Sequence, residues 1–302
     1  MLDSILVPLD RSKISEQILP YVEALAKGLA VPVKLIHVVD TKNLPESLEP
    51  RLQGHLDLLG QKERDRAAKY LENIRCQMEG DGVAVSAEVM IGSPDEEIAS
   101  FAYTQGMGMI AMSTHGRSGP ERWYMGSVAD KVLESAVVPL LLYRPKEDEV
   151  SAVKFEKLII PLDGSTVAEQ ALPTAEALAK KLDLELLIVR VLNTYSWVFT
   201  DMSPYGAHSL PSELLKTLKE AATGYLDKTV TDLQQKGFKV GSRSMLGNPG
   251  SEINELASET PGSLVVISTH GRSGVNRMVM GSVADKVVRG SGSPVLLLRS
   301  TE

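Results

Sequence analysis

Ser113 to Arg144 reads STHGRSGPERWYMGSVADKVLESAVVPLLLYR, and Ser268 to Arg299 reads STHGRSGVNRMVMGSVADKVVRGSGSPVLLLR. The two stretches align without a gap and are identical at 20 of 32 positions, so the chain uses one structural unit twice. Two shorter matches occur in the same order upstream. ILVPLD ending at Asp10 matches LIIPLD ending at Asp163, and IGSPDEEI around Pro94 matches LGNPGSEI around Pro249. The offset grows from 153 to 155 between these two pairs. The extra length therefore falls in a surface loop between the second strand and the Gly-x-Pro turn, where it costs little.

The segment Pro145 to Val153, charged and opening with proline, separates the copies. The expected domains are residues 1–146 and 153–302, each of about 150 residues and large enough for its own core. Within each copy, short β-branched runs alternate with stretches of helical apolar spacing. In the first copy strands are expected over Ser4 to Pro8, Val33 to Val39, Val83 to Ile91, Met109 to Ser113 and Pro139 to Tyr143. Helices are expected over Ile14 to Leu29, Leu56 to Met78, Pro94 to Thr104 and Ser127 to Ser135. This alternation implies an α/β fold: two tandem doubly wound parallel-sheet domains of Rossmann-like character, with helices on both faces of each sheet.

Composition narrows the function. Of 302 residues, 43% are hydrophobic and 24% charged, as expected of a globular chain. The formal net charge of −7 opposes binding to nucleic acid or anionic membrane, so a phosphate ligand must be held by local groups. The single cysteine, Cys76, forms no intrachain disulfide and is expected to pack within a helix. No apolar run approaches the ~20 residues of a membrane span. A cytoplasmic protein is expected.

In a doubly wound fold, ligands sit beyond the carboxyl ends of the strands, where strand order reverses. Pro8-Leu9-Asp10, Val38-Val39-Asp40 and Ser113 to Ala129 meet that condition. The third segment is the richest. Gly116 and Gly119 allow backbone N–H groups to form an anion nest, and Gly126-Ser127 opens a helix whose N–H groups at Val128 and Ala129 face a phosphate. Arg117 and Lys131 add positive charge nearby.

Other readings compete. Ser127-Val-Ala-Asp130 and Ser282-Val-Ala-Asp285 have the spacing of a capping box, and Asp10 and Asp163 have that of helix caps. His115 and His270 precede a tight turn with no identifiable acid or nucleophile partner. Trp197, Phe199 and Tyr205 are loop aromatics with no assigned role. The chain lacks Gly-x4-Gly-Lys-Ser/Thr and Gly-x-Ser-x-Gly, which removes P-loop and α/β-hydrolase chemistry.

The pattern Gly116, nine residues, Gly126-Ser127, repeated as Gly271, nine residues, Gly281-Ser282, resembles the Gly-x2-Gly-x9-Gly-Ser/Thr signature of the universal stress protein family. The resemblance covers both halves. The signature's first glycine is replaced by Ser113 and Ser268. The resemblance implies an adenine nucleotide α-hydrolase-like fold that binds ATP, with Mg²⁺ as an accompanying ion, and a regulatory stress-response role without catalytic residues. It places Asp10 near the ribose or a metal-bound phosphate, the Val38 backbone at the adenine edge, and Pro8 and Leu9 in the pocket lining. Met112, Ser113, His115 and Gly116 would follow the nucleotide across the fourth strand, and Gly126, Ser127, Val128 and Ala129 would hold its phosphates. In the second half the implied set is Pro161, Leu162, Asp163, Val191, Ile267, Ser268, His270, Gly271, Gly281, Ser282, Val283 and Ala284. The resemblance also implies an intramolecular pseudo-twofold pair formed through Val138 to Tyr143 and Pro294 to Leu298, an unknown protein partner, and room for a homodimer. A nucleotide-free interaction scaffold and a slow ATPase are the alternatives.

Overall fold

The computed structural model describes residues 2–40, 50–115, 125–145, 153–193, 212–269 and 280–300. They fall into two compact units, Met1–Val153 and Lys154–Glu302. In the first unit the strands are β1 (Ile5–Pro8), β2 (Val33–Asp40), β3 (Val85–Gly92), β4 (Met109–Ser113) and β5 (Leu140–Tyr143). They pair in parallel in the order β3-β2-β1-β4-β5. The helices are α1 (Lys13–Glu16), α2 (Leu19–Leu29), α3 (Pro50–Gly80), α4 (Pro94–Thr104) and α5 (Ser127–Ser135).

Burial explains why these runs become strands of this kind. Ile5, Leu6 and Val7 of β1 are wholly inaccessible, and every residue of β4 and β5 is buried, as expected of strands covered on both faces. Strand β3 at the sheet edge instead alternates half-buried with mostly exposed residues. Helices supply the covering layers. On α2, Val22, Leu25, Ala26 and Leu29 form the buried stripe, and on α5 Ala129, Val132 and Leu133 do the same.

The second unit repeats this plan with β6 (Lys157–Pro161), β7 (Glu185–Leu192), β8 (Val240–Leu246), β9 (Ser263–Ser268) and β10 (Val295–Leu298). Its parallel order is β8-β7-β6-β9-β10. Its helices are α6 (Thr166–Glu169), α7 (Ala171–Leu182), α8 (Ser212–Gln235), α9 (Pro249–Glu259) and α10 (Ser282–Gly290). A tertiary bond is duplicated as well. The Tyr70 hydroxyl on α3 donates to Glu16 at 3.0 Å, and the Tyr225 hydroxyl on α8 donates to Glu169 at 2.7 Å. Burial, then the adjacent glutamate, pushes both tyrosine hydroxyls to higher pKa, so both donate at every physiological pH.

Two expectations need correction. The helix expected over Ile14 to Leu29 is broken into α1 and α2. Pro20 lacks the N–H that would bond the Glu16 carbonyl, and it sits in the first turn of α2, where that donor is not needed. Cys76 lies in α3 as expected but is exposed rather than packed, with Sγ 3.6 Å from Glu72. Among the described residues no helix is long and apolar enough to cross a membrane.

Helix α2 ends on Ala30 in the left-handed region (φ 55°, ψ 47°), where an L side chain crowds the carbonyl. Its counterpart Asp183 at the end of α7 does the same at φ 50°. Ala30 is exposed and its methyl has no packing role, so Ala30→Gly is expected to stabilise the first unit by up to about 1 kcal/mol. A urea midpoint that stays unchanged or falls would show that the left-handed cap carries no strain.

Candidate functional site

The strand order of the first unit reverses between β1 and β4, whose crossover helices lie on opposite faces of the sheet. A cleft of about 230 Å³ opens at the carboxyl ends of these strands. Its lining comes from six elements. Pro8 ends β1 and Leu9 and Asp10 follow it, Val38 lies near the end of β2, and Met112 and Ser113 end β4 with Thr114 and His115 just after. Gly126, Ser127, Val128 and Ala129 open α5, while Ser15, Pro94 and Ile98 project from α1 and α4. Most of this surface is apolar, with the polar groups gathered at the strand ends and the helix start.

One backbone bond sets the geometry. The Gly126 N–H donates to the Thr114 carbonyl at 2.8 Å, which holds the start of α5 against the end of β4. Thr114 is itself anchored, its N–H donating to the Tyr143 carbonyl at 2.9 Å. Gly126 occupies the N-cap with extended backbone (φ −61°, ψ 144°) and, as glycine, makes no side-chain cap bond. Ser127 is therefore the first helical residue and not the cap, so the capping box does not form. Its exposed hydroxyl and the N–H groups of the first turn stand at the cleft.

Asp10 is likewise not a helix cap. Its Oδ1 accepts from the Ser12 N–H at 2.9 Å and from the Ser12 hydroxyl at 2.6 Å, and Ser12 in turn caps α1 by accepting from the Ser15 N–H. Asp163 braces Ser165 over the same two distances, and Ser165 caps α6. One carboxylate thus fixes the turn that follows β1 and presents itself to the cleft. The serines in the glycine position are also placed. Ser113 Oγ donates to the Ser15 carbonyl at 3.3 Å, and Ser268 Oγ donates to the Val167 carbonyl at 2.9 Å. Each ties the end of its strand to the first helix and fits the strand without strain. His115 Nδ1 lies 3.0 Å from the Thr114 hydroxyl.

In the second unit Pro161, Leu162 and Asp163 follow β6, Val191 lies near the end of β7, and Ile267 and Ser268 end β9. Gly281 is the uncapped N-cap of α10, with Ser282, Val283 and Ala284 in its first turn. The Gly281 N–H donates to the Thr269 carbonyl at 2.6 Å. These residues gather at the carboxyl edge as their counterparts do. Gly116, Arg117, Gly119, Trp197, Phe199, Tyr205, His270 and Gly271 lie outside the described residues.

Sequence reading missed Ser15, Thr114, Pro94 and Ile98. The Gly-x-Pro turn marked where α4 begins, and Ile98, four residues after Pro94, shares its helical face. That periodicity was a usable signal. Lys131, expected to add charge to the cleft, instead pairs with Asp95 on α4 at 3.3 Å.

The first unit is thus of the doubly wound α/β class with a crevice at its switch point, and the second repeats its topology and edge. Comparison with known proteins agrees with this class. The model of the universal stress protein family matches residues 1–144 and again 154–299. A universal stress protein of Methanocaldococcus jannaschii is 32% identical over 145 residues, covering 48% of this chain and 82% of that protein. The universal stress protein YxiE of Bacillus subtilis is 32% identical over 149 residues, covering 48% of this chain and 99% of that protein. The crystal structure of a universal stress protein from Archaeoglobus fulgidus shares the fold over 99% of both chains, at 22% identity and a TM-score of 0.73. The chain belongs to the universal stress protein family, with two of its domains in tandem.

Burial disfavours the Asp95 carboxylate, but the Ser93 hydroxyl at 2.7 Å, the backbone and Lys131 outweigh it and hold the group below the usual carboxylate range. A depressed folded pKa gives stability that is present above the unfolded value of about 3.9 and lost as pH falls through the folded value. Urea unfolding followed from about pH 5 down to pH 2 should therefore show a smaller acid-induced loss in Asp95→Asn than in the unmodified protein. Identical slopes would mean that the Asp95 to Lys131 contact does not contribute.

Proposed function

We propose that each unit binds an adenine nucleotide, ATP with Mg²⁺, at the carboxyl ends of its strands, and that the protein acts by binding rather than by catalysis. The observation that carries this reading is the juxtaposition in one cleft of an apolar wall and an uncapped helix start. Pro8, Leu9, Val38, Met112 and Ile98 offer the surface an aromatic base needs, and the first turn of α5, which has a glycine N-cap, offers backbone donors for phosphate.

The helix terminus alone supplies only about 0.3–1 kcal/mol, whereas micromolar binding needs roughly 8 kcal/mol. Base burial, the Ser127 hydroxyl and the backbone of the loop must therefore act together. Among the described residues no group of three or more His, Cys, Asp or Glu could cage a metal ion. Mg²⁺ binds through one or two carboxylates plus substrate phosphates and retained water, and Asp10 is a carboxylate in the cleft lining that could serve. The Ser113 and Ser268 hydroxyls are turned to helix carbonyls, so they leave the strand end open to a ligand.

The test is calorimetric titration of nucleotide-stripped protein with ATP and Mg²⁺, beside Ser127→Asp/Ser282→Asp. Aspartate in the first helical turn favours the helix while repelling phosphate, so binding and folding separate. Two sites per chain are expected, with affinity falling at least tenfold in the double variant and its melting temperature equal or slightly higher. Folded, stripped protein that takes up no nucleotide would overturn the reading in favour of an interaction scaffold. Release of ADP in a long incubation would point to the slow ATPase.

A further inference from the structure

The two units share a backbone plan at the carboxyl edge but not its charge. Two cations at this edge of the first unit are matched by carboxylates. Arg11, just after Asp10, pairs with Glu63 on α3 at 2.9 Å, and Lys131 on α5 pairs with Asp95 on α4 at 3.3 Å. The second unit places cations in the same neighbourhoods and gives them neutral partners.

Gly164 (φ +81°) takes the place of Arg11 (φ 69°), and Arg190, at the register position of His37, fills the space beside it. A Cβ on Gly164 would come within 3.3 Å of the Arg190 Nη1. A guanidinium thus stands beside the aspartate turn in both units, delivered from different segments. Arg190 lies over the Tyr225 ring at 4.8 Å, and the α8 position equivalent to Glu63 is Leu218.

Lys286 on α10, the counterpart of Lys131, donates to the Asn248 amide oxygen at 2.9 Å, and Gly250 replaces Asp95. The exchange has a packing reason, since a Cβ on Gly250 would lie 2.7 Å from the Lys286 Cβ. Among the described residues, neither Arg190 nor Lys286 is in an ion pair. Two exposed acids of the first edge are neutral in the second as well, Asp40 becoming Asn193 and Glu96 becoming Ser251. Four equivalent carboxylates are therefore missing from the second edge.

We infer that the two sites differ in how strongly they favour phosphate charge: the second unit binds ATP in clear preference to less charged adenine ligands, whereas the first, ringed by four more carboxylates, binds ATP no more tightly than adenosine. This rests on the nucleotide reading above. Removing several like charges around an anion changes its affinity several-fold even in water-like surroundings, and the effect is screened by salt, whereas an uncharged ligand does not feel it.

The test titrates stripped protein with two probes, ATP and adenosine, at about 50 and 200 mM salt. Val38→Trp fills the first cleft and Val191→Trp the equivalent position of the second, with circular dichroism as the fold check. With the first cleft filled, the remaining site is expected to bind ATP at least tenfold tighter than adenosine and to lose several-fold in ATP affinity at the higher salt. With the second filled, ATP should bind no tighter than adenosine. Exposed-charge exchanges give an independent reading with neither cleft filled. Asn193→Asp should weaken ATP several-fold and leave adenosine unchanged, while Asp40→Asn/Glu96→Ser should strengthen ATP at the first site. Equal ATP preference and equal salt dependence at the two sites would overturn the inference and leave the nucleotide reading standing. Failure of the stripped protein to bind either probe would overturn both.

Discussion

Everything proposed for the first unit depends on one short backbone bond, that from the Gly126 N–H to the Thr114 carbonyl. It joins two ends that the rest of the fold leaves apart. The strand end exposes carbonyls and side chains at the switch point, and the helix start presents first-turn N–H groups that its N-cap glycine does not cap. Bound together, they make a surface with an apolar wall and a donor-rich floor. The same bond recurs between Gly281 and Thr269. In both copies the donor is the N-cap glycine, which has no side chain to cap the helix it begins.

The braces behind this surface are polar and local. Asp10 holds Ser12, Ser12 holds the first turn of α1, and Ser113 holds the carbonyl of Ser15, so the loop after β1 and the end of β4 are tied to the same short helix. The break between α1 and α2 at Pro20 makes that helix a single turn. A continuous helix would have run its carbonyls into its own ladder and offered fewer of them to a strand.

Much of this was legible in the chain. Strong punctuation fixed β4, α4 and α5, since Pro94 and Gly126 each mark a helix start, and the internal repeat fixed the architecture before any local pattern was weighed. What was not legible turned on competition between local options. Ser127 has the right spacing for a cap, and only tertiary placement of Gly126 one residue earlier decides against it. Cys76 reads as a packing residue by type, yet its place on the outer face of α3 follows from which helical stripe meets the sheet. The charge difference between the two edges was also hidden, because Arg11 and Arg190 do not align in sequence and only the folded structure sets each beside the aspartate turn of its own unit.

The length of α3 has a mechanical consequence. Its 31 residues span about 46 Å, against about 26 Å for the eight residues of β2 beside it. A tight turn at Asp81 to Ala84 fixes its carboxyl end to the start of β3, so the surplus of about 20 Å stands beyond the edge that bears the cleft. Tyr70 ties the helix to Glu16 and Glu63 ties it to Arg11 beside the cleft, so residues 50–62, about 20 Å of helix, form an arm beyond these ties. A tilt of about 10° at Glu63 would sweep the tip of that arm through about 3 Å, moving the end of the helix without moving the part that packs on the sheet.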